Sequence, residues 1–396
     1  MSHRTVLVTD GEQRASLALV RSLGRAGNKV YTCSTRGRSL AGASRYCVDE
    51  AAVANALTSP EIFVADIQRL IRDWGVDILL PVTEASLLVL LPERERLAVC
   101  VPFADADSVR SISDKAHLLE AAPSVGIAIP QQRVIRDTSE WAALIEQGLC
   151  FPVVLKPARS VAYHNGGSVK LAVRHAATRL QLEDEIRALD PAAYPVLVQQ
   201  RIVGPGVGIF LLLWNGELIA TFSHRRLREK PPAGGVSVYR ESIAANPALV
   251  ARSRALLGLF AWRGVAMIEY KLDAATGTPY LMEVNGRFWG SLQLAIDAGV
   301  DFPVLLTQAA LDERPTPVSH YKTGVRSRWW WGDVDHLMAR LRRTDVELSL
   351  PPGLPGRLGT LRDFFTLWRP GDRNEVLRFG DPAPFIRETI EWMHRR

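Results

Sequence analysis

Long apolar runs are missing from this sequence of 396 residues: none approaches the roughly 20 needed to cross a bilayer, which excludes a helical membrane protein. Cysteine is scarce. The four present, Cys33, Cys47, Cys100 and Cys150, lie far apart with no CxxC pair, so a disulfide framework or a thiolate metal site is not indicated and free thiols in a reducing compartment are. The opening MSHRTVLVTDGEQ lacks the basic-then-apolar build of a signal peptide. The expectation is a cytoplasmic soluble protein. No block of one charge is present either: the net +6 comes from basic residues scattered among acidic ones, a weak general attraction for anions such as nucleotides, nucleic acid or acidic lipid. The first strand-to-helix turn, TDGEQRAS, lacks the GxGxxG spacing that lets a backbone hug a pyrophosphate, which excludes a dinucleotide there.

What is present is ordinary globular composition, 47% hydrophobic and 23% charged, which excludes wholesale disorder and, at this length, implies two or three packed domains. TVLVTD, SLALVRSLGRAG and KVYTCS read as strand, helix, strand, with Leu17, Val20 and Leu23 at helical spacing and Gly27 at the helix end. IFVADIQRLIRDWG and VDILLPVT repeat the unit as an amphipathic helix and a buried strand. Alternation of this kind predicts an open, mostly parallel α/β domain. SDKAHLLEAAPSVG then reads as a capped helix ending in Gly126. FPVVLKPA and VKLAV read as strands around the loop RSVAYHNGGS, RHAATRLQLEDEIRAL as a helix, and WNGE as an Asn-Gly hairpin turn. Beyond about residue 320 the pattern loosens.

The most informative segment is a second hairpin. VAMIEYKLD and PYLMEVN alternate on either side of AATGT. Pairing them about Thr276 sets Asp273 against Pro279, Lys271 against Leu281 and Glu269 against Glu283. One face is then apolar, with Ala266, Ile268, Tyr270 and Leu272 beside Tyr280, Met282 and Val284; the other carries Glu269, Glu283 and Asn285. Two carboxylates opposite one another repel. They are compensated either by a divalent cation, whose hard oxygen ligands these are, or by Lys271 and Arg287 on a solvated face. Arg287, in a Gly-flanked segment just beyond, favours an anionic ligand beside a cation. Lys156 ends the buried strand VVLKP, Gly166, Gly167 and Ser168 close the loop after it, and Lys115 starts a helix; phosphates want such lysines and backbone N–H groups.

In this order, with SDK, LKP, a glycine loop, VLVQQRI and IEYKLD…TGTPYLMEVNGRFWGS, the sequence resembles the ATP-grasp superfamily, including the ATP-grasp domains of carbamoyl-phosphate synthetase large chains, over roughly residues 1 to 315. The resemblance implies an α/β and α+β chain: an N-terminal open parallel α/β (pre-ATP-grasp) domain at 1–112, then an ATP-grasp fold of two α+β subdomains at 113–198 and 199–318, with a C-terminal extension at 319–396. By resemblance, Lys115 and Lys156 bind phosphate, and Gly166, Gly167 and Ser168 form a lid over the γ-phosphate. Gln199, Gln200, Arg201 and Ile202 form the adenine-reading hinge, although family members often have glutamate where Gln200 stands. Glu269, Glu283 and Asn285 hold Mg²⁺ (or Mn²⁺), and Arg287 steadies an acyl phosphate. The implied activity is ligation: ATP phosphorylates a small carboxylate and an amine displaces the phosphate.

For the substrate, FSHRRLREKPPAGG places His224, Arg225 and Arg226 at a strand end before a Pro-Pro, Gly-Gly loop. Arg225 or Arg226 is the expected carboxylate clamp, and His224 a base for the amine. Glu84, at a strand end in PVTEAS, is an expected amine contact, and Arg45 and Tyr46 of SRYC are expected to border the same cleft. Trp329 to Trp331 read as a packing face. The partners expected are a small carboxylate and an amine, with a homodimer allowed and no nucleic acid. Activation of bicarbonate or carbamate is an alternative, although no biotin-carrier lysine motif is evident. A basic protein binding nucleic acid or acidic lipid without turnover is another, and it leaves the Glu269–Glu283 pairing unexplained.

Overall fold

The computed structural model describes residues 3–146, 148–159, 161–164, 167–171, 173–351, 353–366 and 371–395, without side chains at 161–164 and 167–170. The first sheet has four parallel strands in the order Cys47–Ala52, Lys29–Ser34, Thr5–Val8, Ile78–Leu80. Helix Arg14–Arg25 buries Leu17, Val20 and Leu23, and helix Pro60–Trp74 buries Phe63, Ile67 and Leu70 before stopping at left-handed Gly75. These are the apolar stripes that helical periodicity requires.

The second sheet is small and antiparallel, in the order Gln132–Ile135, Val196–Gln200, Val153–Pro157, Arg174–Ala176. The expected loop after LKP contains a hairpin of its own, Val161–His164 against Gly167–Lys170. The helix expected from Arg174 starts later, at Arg179, because Arg174–Ala176 pairs at the sheet edge and Thr178 supplies the cap.

The third sheet has seven strands: Pro279–Asn285, Gly264–Leu272, Gly206–Trp214, Glu217–Lys230, Val236–Ser242, Arg326–Arg328, Asp372–Asn374. Gly206–Trp214 is buried at every position, as a continuous apolar run with covered faces should be. It turns into Glu217–Lys230 through Asn215 and Gly216, both at positive φ (50° and 80°), the geometry of the expected tight hairpin. The last two strands come from the C-terminal segment, so that segment extends the sheet as well as covering it. Trp331 there stacks on Trp392 at 4.1 Å between centroids, and Trp329 donates to Glu388 at 2.7 Å.

The core is divided unevenly. One continuous apolar cluster runs from the first sheet through helix Arg14–Arg25 into the seven-stranded sheet, whereas Ile135, Trp141, Leu155, Leu182 and Val196 of the small sheet form a separate cluster. The C-terminal segment is tied to the first domain by buried charge. Arg21, with its side chain 1% exposed, donates to Asp381 at 2.8 Å, and Glu375 accepts from Arg14 at 2.5 Å and pairs with the buried Arg240.

Candidate active site

The Glu269–Glu283 pairing exists, but the register beyond it is shifted. A bulge sets Tyr270 against Leu281, Lys271 against Tyr280 and Leu272 against Pro279, one residue from the pairs the turn suggested. Met282 is the extra residue. Leu281 therefore takes the core position, fully buried, and Met282 turns to the cleft, where its Sδ lies 3.7 Å from the Lys156 amine. Bulges re-aim side chains in this way; here the result is a hairpin with Glu269, Met282, Glu283 and Asn285 on one cavity wall.

That cavity, a cleft of about 920 Å³, lies between the small and the seven-stranded sheets. Gln199, Gln200, Arg201 and Ile202, where the chain leaves one sheet for the other, line it. Gln199 is buried and donates to Gln132 at 2.6 Å, whereas the Gln200 side chain is exposed and only its backbone N–H is fixed, to Gln131 O at 2.8 Å.

Cations reach the hairpin from three separate elements. Asp114 caps helix Lys115–Ala121 and so fixes Lys115, whose amine lies 3.8 Å from Glu283. Lys156 comes from the small sheet; burial, only partly offset by Glu283, pulls its pKa down to about 8. Arg226 comes from the adjacent long strand, donates to Glu229 at 2.8 Å and pairs closely with Glu269. Burial and the neighbouring Glu283 raise Glu269 above the usual carboxylate range against the pull of Arg226. Burial pushes Glu283 upward too, but Lys115, the Asn285 amide, Lys156 and Arg226 together hold it below that range. Asn285 donates to Glu283 at 2.9 Å and accepts from Arg287 at 3.1 Å. The donor set fits a hard divalent ion: two carboxylates and an amide oxygen at adjoining positions, too few to complete a shell without phosphate or water oxygens.

A second cavity of about 430 Å³ opens between the first domain and the same hairpin, sharing Arg14, Glu283, Asn285, Arg287 and Gly290 with the cleft. Glu84 lines it at the start of helix Glu84–Leu90, whose cap Thr83 accepts from the Ser86 N–H at 3.2 Å. Asp10, at φ 54°, anchors this corner by accepting from Thr83 N–H and Ser86 Oγ at 3.1 and 2.8 Å.

Several expected residues fall elsewhere. Arg225 is on the opposite strand face from Arg226, half exposed and paired with Glu241 at 2.6 Å, and does not line the cleft; strand alternation allows only one of the two neighbours to face it. Arg45 and Tyr46 also lie outside both cavities: the Arg45 backbone N–H donates to Asp381 at 2.9 Å and its guanidinium packs over the Tyr46 ring. His224 does line the cleft, but burial, reinforced by Arg226 and Arg240, lowers its pKa well below the usual histidine range. An imidazole so buried is held in its neutral form. Gly166 lies outside the described residues, as does the Ser168 side chain; Gly167 and Ser168 are backbone members of the hairpin after Lys156. Sequence reasoning missed Arg14, Trp289 and His175. Arg14 had a signal, since it follows the end of the first parallel strand, where open α/β sheets place ligands.

The sheet order, the bulged carboxylate hairpin and the cleft between two unequal α+β units are those of an ATP-grasp fold. A family model described as ATP-grasp in the biosynthetic pathway with Ter operon matches residues 193–331. The N-terminal section of the carbamoyl phosphate synthase large chain of Aquifex aeolicus is 27% identical over 287 residues, 65% of this chain and 49% of that protein. The chain thus spans about half the length of that curated relative. Among solved structures, the L-amino acid ligase from Bacillus licheniformis superposes with a TM-score of 0.61 at 18% identity, over 80% of this chain and 75% of that one. The biotin carboxylase domain of the Hydrogenobacter thermophilus 2-oxoglutarate carboxylase, solved with MgADP and bicarbonate, superposes at 0.63 with 14% identity, over 82% and 73%. The chain has an ATP-grasp fold, and about a third of it matches an ATP-grasp family model. No helix among the described residues is long and apolar enough to cross a membrane.

Proposed function

We propose that this chain is an ATP- and Mg²⁺-dependent ligase that activates a small carboxylate, an amino acid or related acid, as an acyl phosphate and joins it to an amine, releasing ADP and phosphate. One observation carries the reading: Glu269 and Glu283 face each other across a bulged hairpin with Asn285 and Arg287 following, in a cleft that Lys115 and Lys156 also reach. Phosphoryl transfer asks little covalent chemistry of a protein and mostly needs positioning and charge neutralisation. Glu269, Glu283 and Asn285 would hold magnesium or manganese, which supplies charge neutralisation at the transferring phosphoryl group. Lys156, costly to charge in its buried site, regains its proton's stability beside phosphate oxygens, and Lys115 serves the same group. Arg287 lines both cavities and so meets the acyl phosphate where acid and amine converge. Gln199 to Ile202 receive the adenine, and Gly166, Gly167 and Ser168 act as the lid that keeps water from the acyl phosphate. Arg226 positions Glu269, and Glu84 on the far wall of the smaller cavity faces the amine.

A basic surface for nucleic acid or lipid would have to be built without five of the arginines. Arg21, Arg226, Arg228, Arg240 and Arg328 are each committed to an internal carboxylate. The experiment is ADP release with Mg²⁺-ATP across amino acids and short organic acids, singly and in pairs with amines. ADP and a condensed product mass appearing together with one pair support the ligase. ADP release that needs only bicarbonate moves the reading to carboxylate activation of the kind named for the carboxylase neighbours, and absence of ATP binding by thermal shift overturns it.

A further inference from the structure

No residue of the C-terminal segment enters the chemistry above, yet one of its loops lines the large cleft. Arg343, Glu347, Leu348 and Ser349 stand on the cleft wall together with Gln199–Ile202. The loop is held in shape by its own bonds. Leu348 N–H donates to Thr344 O at 3.0 Å, and the Glu347 carboxylate accepts from Thr344 N–H and Oγ1 at 2.6 and 2.8 Å. The buried Arg340 donates to Asp345 at 2.9 Å. Helix Trp330–Arg342, which leads into the loop, is tied to the long strand Glu217–Lys230: Arg228 pairs with Asp333 at 2.6 Å and His336 donates to Glu229 O at 2.6 Å. Arg201 of the hinge donates to Ser349 O, so loop and hinge meet directly.

Leu348 is buried, but it belongs to neither apolar cluster of the fold. Val154, Ile202 and Met282 share both properties and line the same cleft. Four apolar side chains, from the small sheet, the hinge, the carboxylate hairpin and the C-terminal loop, are thus withdrawn from water without entering either core. Their order along the cleft follows from contacts. Met282 Sδ lies 3.7 Å from the Lys156 amine. Val154 precedes Lys156 by two residues on one strand, hence on the same face and about 7 Å further along, whereas Val153 and Leu155 face the small core. Val154 pairs with Gln199, and Ile202 and the Arg201–Ser349 contact follow. Charge gathers at the end that holds Lys115, Lys156 and the carboxylates. Apolar surface runs from there to the hinge and ends at Leu348.

A ligand lying along this wall must be anionic at the hairpin and uncharged, with an apolar face, at the hinge. ATP has that form. Its phosphates meet the lysines and the metal ligands, and its base reaches the apolar end, where side chains cover the ring faces by area rather than by hydrogen bonds. We propose that Leu348 is a nucleotide-binding residue, closing with Val154, Ile202 and Met282 an apolar slot that takes the base of ATP. The C-terminal segment then supplies one wall of the nucleotide site as well as two strands of the sheet. This rests on the reading of the cleft as an ATP site.

The test uses the full chain with ¹³C-labelled leucine methyl groups; the Leu348 signals are those lost in Leu348→Met. Mg²⁺-ADP should shift them, and they should show an NOE to the adenine H2 or H8 proton. Half-saturation by Mg²⁺-ADP should weaken about five- to tenfold in Leu348→Ala, the effect of uncovering part of a ring face. It should stay within about twofold of wild type in Leu348→Met, which keeps the apolar reach. Urea unfolding shows that each variant folds; should the alanine protein fail to, Leu348→Gln, which keeps the volume and loses the apolar surface, is measured with the same loss expected. Bound ADP without an NOE to Leu348 overturns the slot, as does equal ADP affinity in wild type and Leu348→Ala. Either result leaves the ATP reading standing, whereas a wild type that binds no ADP overturns that reading and the slot with it.

Discussion

Replacing Lys156 by methionine should make the free protein more stable while removing its response to nucleotide. Lys156 is a base whose folded pKa, about 8, lies below the ordinary 10.5 because burial penalises its charge. Near pH 7 it is charged in both folded and unfolded chains, so the fold carries the whole penalty. At about 1.4 kcal/mol per pH unit, the difference between 10.5 and about 8 bounds it at about 3.5 kcal/mol. The attraction of Glu283 is already contained in that figure, since it opposes burial. Methionine keeps a long unbranched chain beside Met282 and removes the charge. The sign with pH follows from linkage: the unfolded chain holds the proton up to about 10.5 and the folded chain gives it up near 8, so wild-type stability rises across that interval and the variant's advantage closes. Urea unfolding of both proteins near pH 7 and near pH 10 measures this, and a thermal shift with Mg²⁺-ATP measures the nucleotide response. A variant less stable than wild type near pH 7, or one still stabilised by ATP, refutes the placement of Lys156 as a strained phosphate ligand.

Glu283→Gln should abolish ATP turnover with little loss of fold, because the amide keeps the shape and the Asn285 contact but removes a metal-binding charge; retained turnover by ADP release would dismiss the metal assignment. Arg226→Ala leaves Glu269, whose side chain is 13% exposed, without its cation, and should cost about 3–5 kcal/mol in urea unfolding; a loss under about 1 kcal/mol would mean that Glu269 has another partner. Asp381→Ala strips the buried Arg21 of its carboxylate, and with it the contacts to Ser44 Oγ and Arg45 N–H at 2.7 and 2.9 Å, so a cost of about 3–5 kcal/mol is expected. Limited proteolysis should then cut the C-terminal segment first, and an unchanged digestion pattern would show that the tie is redundant.

The hairpin was readable because its information is local. Glu269 and Glu283 are equidistant from a Gly-containing turn, and alternation alone puts Asn285 beside them. The bulge was not readable, because it is decided by which of Leu281 and Met282 fits the core opposite Tyr270, a question of three-dimensional packing. Arg225 and Arg226 were equivalent for the same reason: nothing in SHRR states which strand face meets the cleft until the neighbouring strands are in place. Asp372–Asn374 carries no periodic signal in three residues, and its place at the sheet edge depends on Glu375 reaching Arg14 and Arg240, more than a hundred residues away. Lys156 could be picked out because a lysine at the end of an apolar strand violates the local pattern, whereas Trp289, which also lines the cleft, obeys it and shares its unpaired indole nitrogen with Trp214 and Trp262.

The cations around the hairpin follow a division of labour that the two cores explain. Arg226 belongs to the same sheet as Glu269 and moves with it, so that pair is a fixed part of the large unit. Lys156 belongs to the small unit, whose core is separate, and reaches Glu283 only across the cleft. A shift of the small unit about Gln199–Ile202 would change the charge environment of Glu283 directly and that of Glu269 more weakly, through the same lysine and through Glu283. Lys115 stands between these cases, because its helix packs against the Pro279–Asn285 strand while its backbone N–H bonds Ala158 O in the small unit at 2.9 Å. Of the two carboxylates, Glu283 is thus the one whose ionisation is tied to the geometry of the cleft, and Glu269 the one held in place whether the cleft is wide or narrow.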